Sequence, residues 1–109
     1  MVQTKSSINY CTRENQINKL IKDQRFNKKR AYFLYISLWD NVCSSLIKEL
    51  EDRPPNFEVN IVNSFDTPHS FVIWGVTATP TLVILEGAAR KTTITQQVTD
   101  IYKRLKLEK

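Results

Sequence analysis

The stretch Trp39-Asp40-Asn41-Val42-Cys43 decides how this chain is read. Residues 31–38 ahead of it (AYFLYISL) are nearly all apolar or aromatic, the pattern of a central strand covered on both faces. Behind it Cys43, Leu46, Ile47 and Leu50 recur at helical spacing, which predicts an amphipathic helix that ends before Pro54 and Pro55. Asp40 therefore stands where strand gives way to helix. An aspartate there is a strong N-cap, and its carboxylate is expected to accept the N–H of Cys43. Cys43 belongs to the buried stripe of the helix.

Working outward, residues 7–11 form a short first strand. Thr12 then caps a helix whose Ile17, Leu20 and Ile21 share one face, and residues 26–30 make the turn into the central strand. Downstream, Phe57, Val59 and Ile61 alternate with Glu58 and Asn60, as in a strand with one polar face. Asp66 or Thr67 caps a short helix that has Pro68 near its first turn and Gly75 just past its end. Thr79-Pro80 opens another apolar run, residues 81–85 (TLVIL); Gly87 turns the chain, and residues 90–94 pair back as an edge hairpin. A last helix from about Thr95 buries Val98, Ile101, Tyr102 and Leu105. Strands alternate with helices along one α/β domain spanning residues 1–109.

A chain of 109 residues can bury enough surface to fold without a metal or disulfide. No apolar stretch is long enough to cross a bilayer, and Met1, Val2, Gln3, Thr4 and Lys5 do not form the apolar core of a signal peptide, so a cytoplasmic protein is expected. In such a compartment Cys11 and Cys43 are expected as free thiols. The net charge of +5 gathers in Lys19, Lys22, Arg25, Lys28, Lys29 and Arg30, and again in Lys103, Arg104, Lys106 and Lys109. With no aromatics interleaved, these read as a solvated helix face and a basic helix end that suits the helix dipole. His69 is the sole histidine and has no companion ligands, so no metal site is expected. The only glycines are Gly75 and Gly87, which leaves no phosphate-binding loop, and no cofactor is expected. Glu49, Glu51 and Asp52 belong to an exposed helix end.

Trp39 immediately before the motif, Cys43 at its end, and the run Gly75-Val76-Thr77-Ala78-Thr79-Pro80-Thr81 downstream together resemble the active site of thioredoxins: a WCxxC motif facing a cis-proline. Asp40 stands where that family has its attacking cysteine. The resemblance covers nearly the whole chain. It implies the thioredoxin fold, a central mixed sheet of four or five strands flanked by helices on both faces. It also implies that Pro80 is cis and that Thr79 presents its backbone to an extended peptide. Cys43 takes the resolving-cysteine position and is the one candidate catalytic residue.

The departures carry as much information as the agreements. An aspartate cannot attack a disulfide, although it keeps a negative charge at the helix start. Where thioredoxins bury an acid that serves the resolving thiol, this chain has Leu34; where they place a nearby lysine, it has Ile61. Losing both members of such a pair leaves no unpaired charge in the core. Residues 91–97 (KTTITQQ) contain no glycine where thioredoxins usually carry one before the last helix, which reshapes the peptide groove. The expected function is therefore a non-catalytic protein-binding or adaptor module. Its binding residues are Trp39, Asp40, Asn41, Val42, Thr79 and Pro80, and its partner is a protein or an extended peptide. One alternative is a monothiol oxidoreductase acting through Cys43, with Cys11 near the same sheet edge. A minor alternative is nucleic-acid association through residues 19–30, which would not involve the same surface.

Overall fold

The computed structural model describes residues 7–27, 30–86 and 91–107. Its elements are β1 (Ile8–Cys11), α1 (Glu14–Asn27), β2 (Ala31–Ile36), α2 (Asn41–Asp52), β3 (Val59–Asn63), α3 (Pro68–Ile73), β4 (Thr81–Glu86), β5 (Lys91–Thr95) and α4 (Val98–Arg104). The strands form one mixed sheet in the order β1-β3-β2-β4-β5. β1, β3 and β2 run parallel, whereas β4 runs antiparallel to β2 and β5 antiparallel to β4.

Alternation along β2 divides the core in two, because successive side chains leave a strand on opposite faces. Tyr32, Leu34 and Ile36 pack with Cys43, Leu46 and Leu50 of α2 and with Ile101, Leu105 and Leu107 at the end of the chain. Phe33 and Tyr35 pack on the other face with Cys11, Ile17 of α1 and Phe71 and Val76 around α3. Each face of the sheet is thus sealed by two helices.

Several boundaries differ from the sequence reading, each for a local reason. The segment expected as a turn at residues 26–30 is helical to Asn27. At the start of that helix Thr12 is not the cap acceptor. Instead Gln16 Oε1 reaches back to the N–H groups of Thr12 (2.9 Å) and Arg13 (3.0 Å), the reciprocal half of a capping box. β3 begins two residues later than the alternation implied, and Asn60 is buried, because β3 lies between two neighbours and has no polar face. Its carboxamide is satisfied there: Nδ2 donates to the Tyr32 carbonyl and Oδ1 accepts from Asn9 Nδ2, both at 3.0 Å. Thr95 closes β5 opposite Leu82 instead of opening α4, as its β-branched neighbours favour, and Val98 at the start of α4 is exposed. The turn assigned to Gly87 and the start of the hairpin at Arg90 lie outside the described residues.

Two helices end in the same hydrogen-bonded motif with different residues at its key position. After α3, Gly75 takes a φ of 65°, its N–H donates to Val72 O and that of Val76 to Phe71 O. After α4, Lys106 takes a φ of 61°, its N–H donates to Lys103 O and that of Leu107 to Tyr102 O. Both are Schellman caps, which satisfy the last carbonyls of a helix by passing through a left-handed residue.

Candidate functional site

The carboxyl ends of the parallel strands create the site. Ile36 ends β2, and a turn closed by Asp40 N–H on Ser37 O (3.2 Å) carries the chain into α2. Thr81, the first residue of β4, pairs with Tyr35, so the Thr79–Pro80 dipeptide just before it arrives beside that turn. The Thr79–Pro80 peptide bond is cis. The loop after β3 joins at the same end, where Ser64 N–H donates to Ile36 O (3.1 Å).

Asp40 ties these pieces together. It caps α2 from an extended conformation, and its Oδ1 accepts the N–H of Val42 at 2.9 Å. The sequence reading assigned that bond to Cys43; the short side chain instead closes on the residue two ahead, while its second oxygen is engaged elsewhere. That oxygen, Oδ2, accepts the hydroxyl of Thr79 at 3.2 Å. One carboxylate therefore braces the helix start against the proline edge. Nothing in the residue spacing announced the Thr79 bond, since the two partners lie 39 positions apart.

Cys43 faces inward and is only 1% exposed. Burial raises its thiol pKa above the ordinary value; contacts with the Ser37 backbone and the Thr79 hydroxyl pull the other way, and the Asp40 carboxylate adds to the rise. Leu34 and Ile61 sit opposite one another in adjacent strands, both fully buried in the same cluster as Cys43. The thiol has no buried acid among these neighbours. Cys11 does not approach it: β1 does run parallel to β2 through β3, but the two sulfurs enter opposite faces of the sheet. Both are free, and burial together with the Glu58 charge pushes Cys11 up to about 11.

Apolar side chains stand exposed close to Asp40 in the chain. Trp39 is 86% exposed, and Leu38 and Val42 are exposed beside it in the chain. Asn41 is exposed and Thr79 partly so, whereas Pro80 is buried, which leaves it to shape the edge from beneath. Phe65, in the loop after β3, adds a residue that sequence reasoning missed; it is 74% exposed. Asn63 holds that loop, its Oδ1 accepting the N–H groups of Phe65 (2.9 Å) and Asp66 (3.1 Å). The one available signal was a large apolar residue set between Asn, Ser and Asp in a polar turn, and it went unread.

Solved structures with the same fold include thioredoxins. Thioredoxin O2 from Arabidopsis thaliana superposes with a TM-score of 0.71 at 20% identity, with 97% of each chain covered. Thioredoxin NaTrxh from Nicotiana alata gives 0.72 at 12% identity, covering 98% of this chain and 96% of that one. Fasciola hepatica thioredoxin gives 0.67 at 17% identity, covering 93% and 99%. The chain has the thioredoxin fold. No family model matches the sequence, and no curated protein matches it.

In this thioredoxin-fold protein the remaining sequence candidates lie apart from the site. His69 is exposed on α3, and no group of three His, Cys, Asp or Glu side chains suited to a metal occurs among the described residues. Glu49 pairs with Arg53 at 3.7 Å, and Glu51 accepts the Tyr10 hydroxyl at 2.7 Å. Lys19 and Lys22 are exposed on α1; Lys28, Lys29 and Lys109 lie outside the described residues. No helix among the described residues is long and apolar enough to cross a membrane.

Proposed function

We propose that the chain is a protein-binding module that docks an extended segment of a partner without covalent chemistry, using the start of α2 and the Thr79–Pro80 edge. The observation that carries this reading is the Asp40 brace. A carboxylate occupies the position that the resemblance gives to the attacking thiol, and both of its oxygens are committed to Val42 and Thr79. The surrounding side chains supply affinity. An aromatic residue buries roughly 150–250 Å² on docking, so Trp39 alone offers about 4–6 kcal/mol of gross stabilisation, from which the costs of ordering are subtracted.

A peptide selected against the protein from a random displayed library tests this. Binding is expected to change Trp39 fluorescence, to persist in excess dithiothreitol, and to weaken about tenfold or more in Trp39→Ala. Binding that vanishes under the reductant, or that ignores Trp39→Ala, contradicts the proposal. Burial of Cys43 argues against the monothiol alternative. Treatment of the folded protein with glutathione disulfide is expected to leave Cys43 without an adduct by mass spectrometry, and an adduct there favours the enzyme. Two buried free thiols suit a reducing compartment such as the cytoplasm.

A further inference from the structure

Two basic groups that are separate in the sequence meet at the end of the sheet away from Asp40. Arg30 stands just before β2, whose six residues set it roughly 20 Å from the opposite strand end. Lys103 and Arg104 end α4, and Lys106 follows it. With Tyr32, Ile84, Glu86 and Asp100 these four cations line a depression of about 390 Å³. Four positive charges against two carboxylates leave it a net +2.

The cleft is held in place. Arg30 Nη2 donates to Glu86 at 3.1 Å and Nη1 donates to the Tyr32 hydroxyl oxygen at 3.2 Å. Because Tyr32 accepts that bond, its own proton is left to donate, and no acceptor takes it among the described residues. The far wall is pinned by Leu107, which is buried and whose carbonyl accepts Arg53 Nη2 at 2.9 Å.

Lys106 is the informative residue. It occupies the left-handed position of a Schellman cap, which glycine adopts freely and lysine does not. After α3 this chain uses Gly75 at the same position. Lys103 and Arg104 suit the dipole of α4 without further explanation, but neither the strained Lys106 nor Arg30 belongs to that helix. The cleft thus keeps a cationic side chain at a backbone position where it costs strain.

We propose that this cleft binds a compact diphosphate-bearing anion. A nucleic acid is the poorer fit, since Tyr32 is 8% exposed with its ring stacked on Phe57 (centroids 4.4 Å apart), so no aromatic face in the cleft is open to a base. The test is a titration of the full chain with inorganic pyrophosphate, followed by amide NMR at ionic strength held constant with sodium chloride. Adenosine diphosphate and an oligothymidylate are the parallel arms. Saturable shifts are expected at Arg30, Asp100, Lys103 and Lys106, with adenosine diphosphate moving the same set. Lys106→Gly is expected to unfold at the same or higher temperature yet bind pyrophosphate about tenfold more weakly, and Tyr32→Phe to weaken it severalfold. Shifts that do not saturate, or affinity unchanged in Lys106→Gly, overturn the proposal. Oligothymidylate binding at these residues more tightly than pyrophosphate overturns it in favour of a nucleic-acid surface.

Discussion

At the scale of single residues, Asp40 separates the two ways of using this site. A thiol at the helix start attacks; a carboxylate caps, braces Thr79 and stays. Asp40→Cys is therefore expected to create a dithiol that oxidises to an intramolecular disulfide and gives measurable insulin reduction. Its rate should stay at least about tenfold below that of an ordinary thioredoxin, because no buried acid stands near Cys43 to take a proton. A rate equal to an ordinary thioredoxin would show that Leu34 and Ile61 do not limit the chemistry. The capping role of Asp40 was legible from its place between an apolar run and an amphipathic one. Its bond to Thr79 was not, because a contact across 39 positions follows from strand pairing and not from local spacing.

At the scale of elements, β2 and β3 place two apolar side chains where the resemblance gives a buried acid and a lysine. Leu34 and Ile61 are register partners in adjacent parallel strands and lie 0% and 2% exposed. Leu34→Asp is expected to destabilise the protein by more than about 3 kcal/mol in urea unfolding, since a lone carboxylate has no partner there. Adding Ile61→Lys should recover part of that loss, and a double variant no more stable than the single one would contradict the pairing. The sequence made these elements readable where periodicity was strong, as along α2. It misled where one residue broke a pattern. Asn60 imitated a solvent face, although a buried carboxamide satisfied by Tyr32 and Asn9 served a central strand. Phe65 was overlooked because loops carry no periodicity, and its exposure depends on how Asn63 folds the turn.

At the scale of the whole molecule, the fold holds several phenols and thiols protonated, some in the cores and others, such as Tyr10, at the surface. Burial and the Glu51 carboxylate push Tyr10 up to about 12, burial and Glu58 push Cys11 up to about 11, and burial also raises Tyr35, Cys43 and Tyr102. The folded protein thus keeps protons that the unfolded chain releases near the ordinary values of 9.0 for Cys11 and 10.0 for Tyr10. Stability from this source is complete below pH 9 and is lost as pH rises through about 11 to 12. The thermal midpoint is expected to hold steady from pH 7 to 9 and then fall by several degrees, roughly, by pH 11; a flat profile would contradict it. The same burial governs the central claim, that this thioredoxin-fold site docks a partner and does not exchange disulfides. The rate of alkylation of Cys43, followed by site-resolved mass spectrometry across pH in the folded protein, tests it most directly. Slow reaction with an apparent midpoint above the ordinary thiol value of 9.0 is the predicted result, and rapid reaction with a midpoint below it would contradict the account.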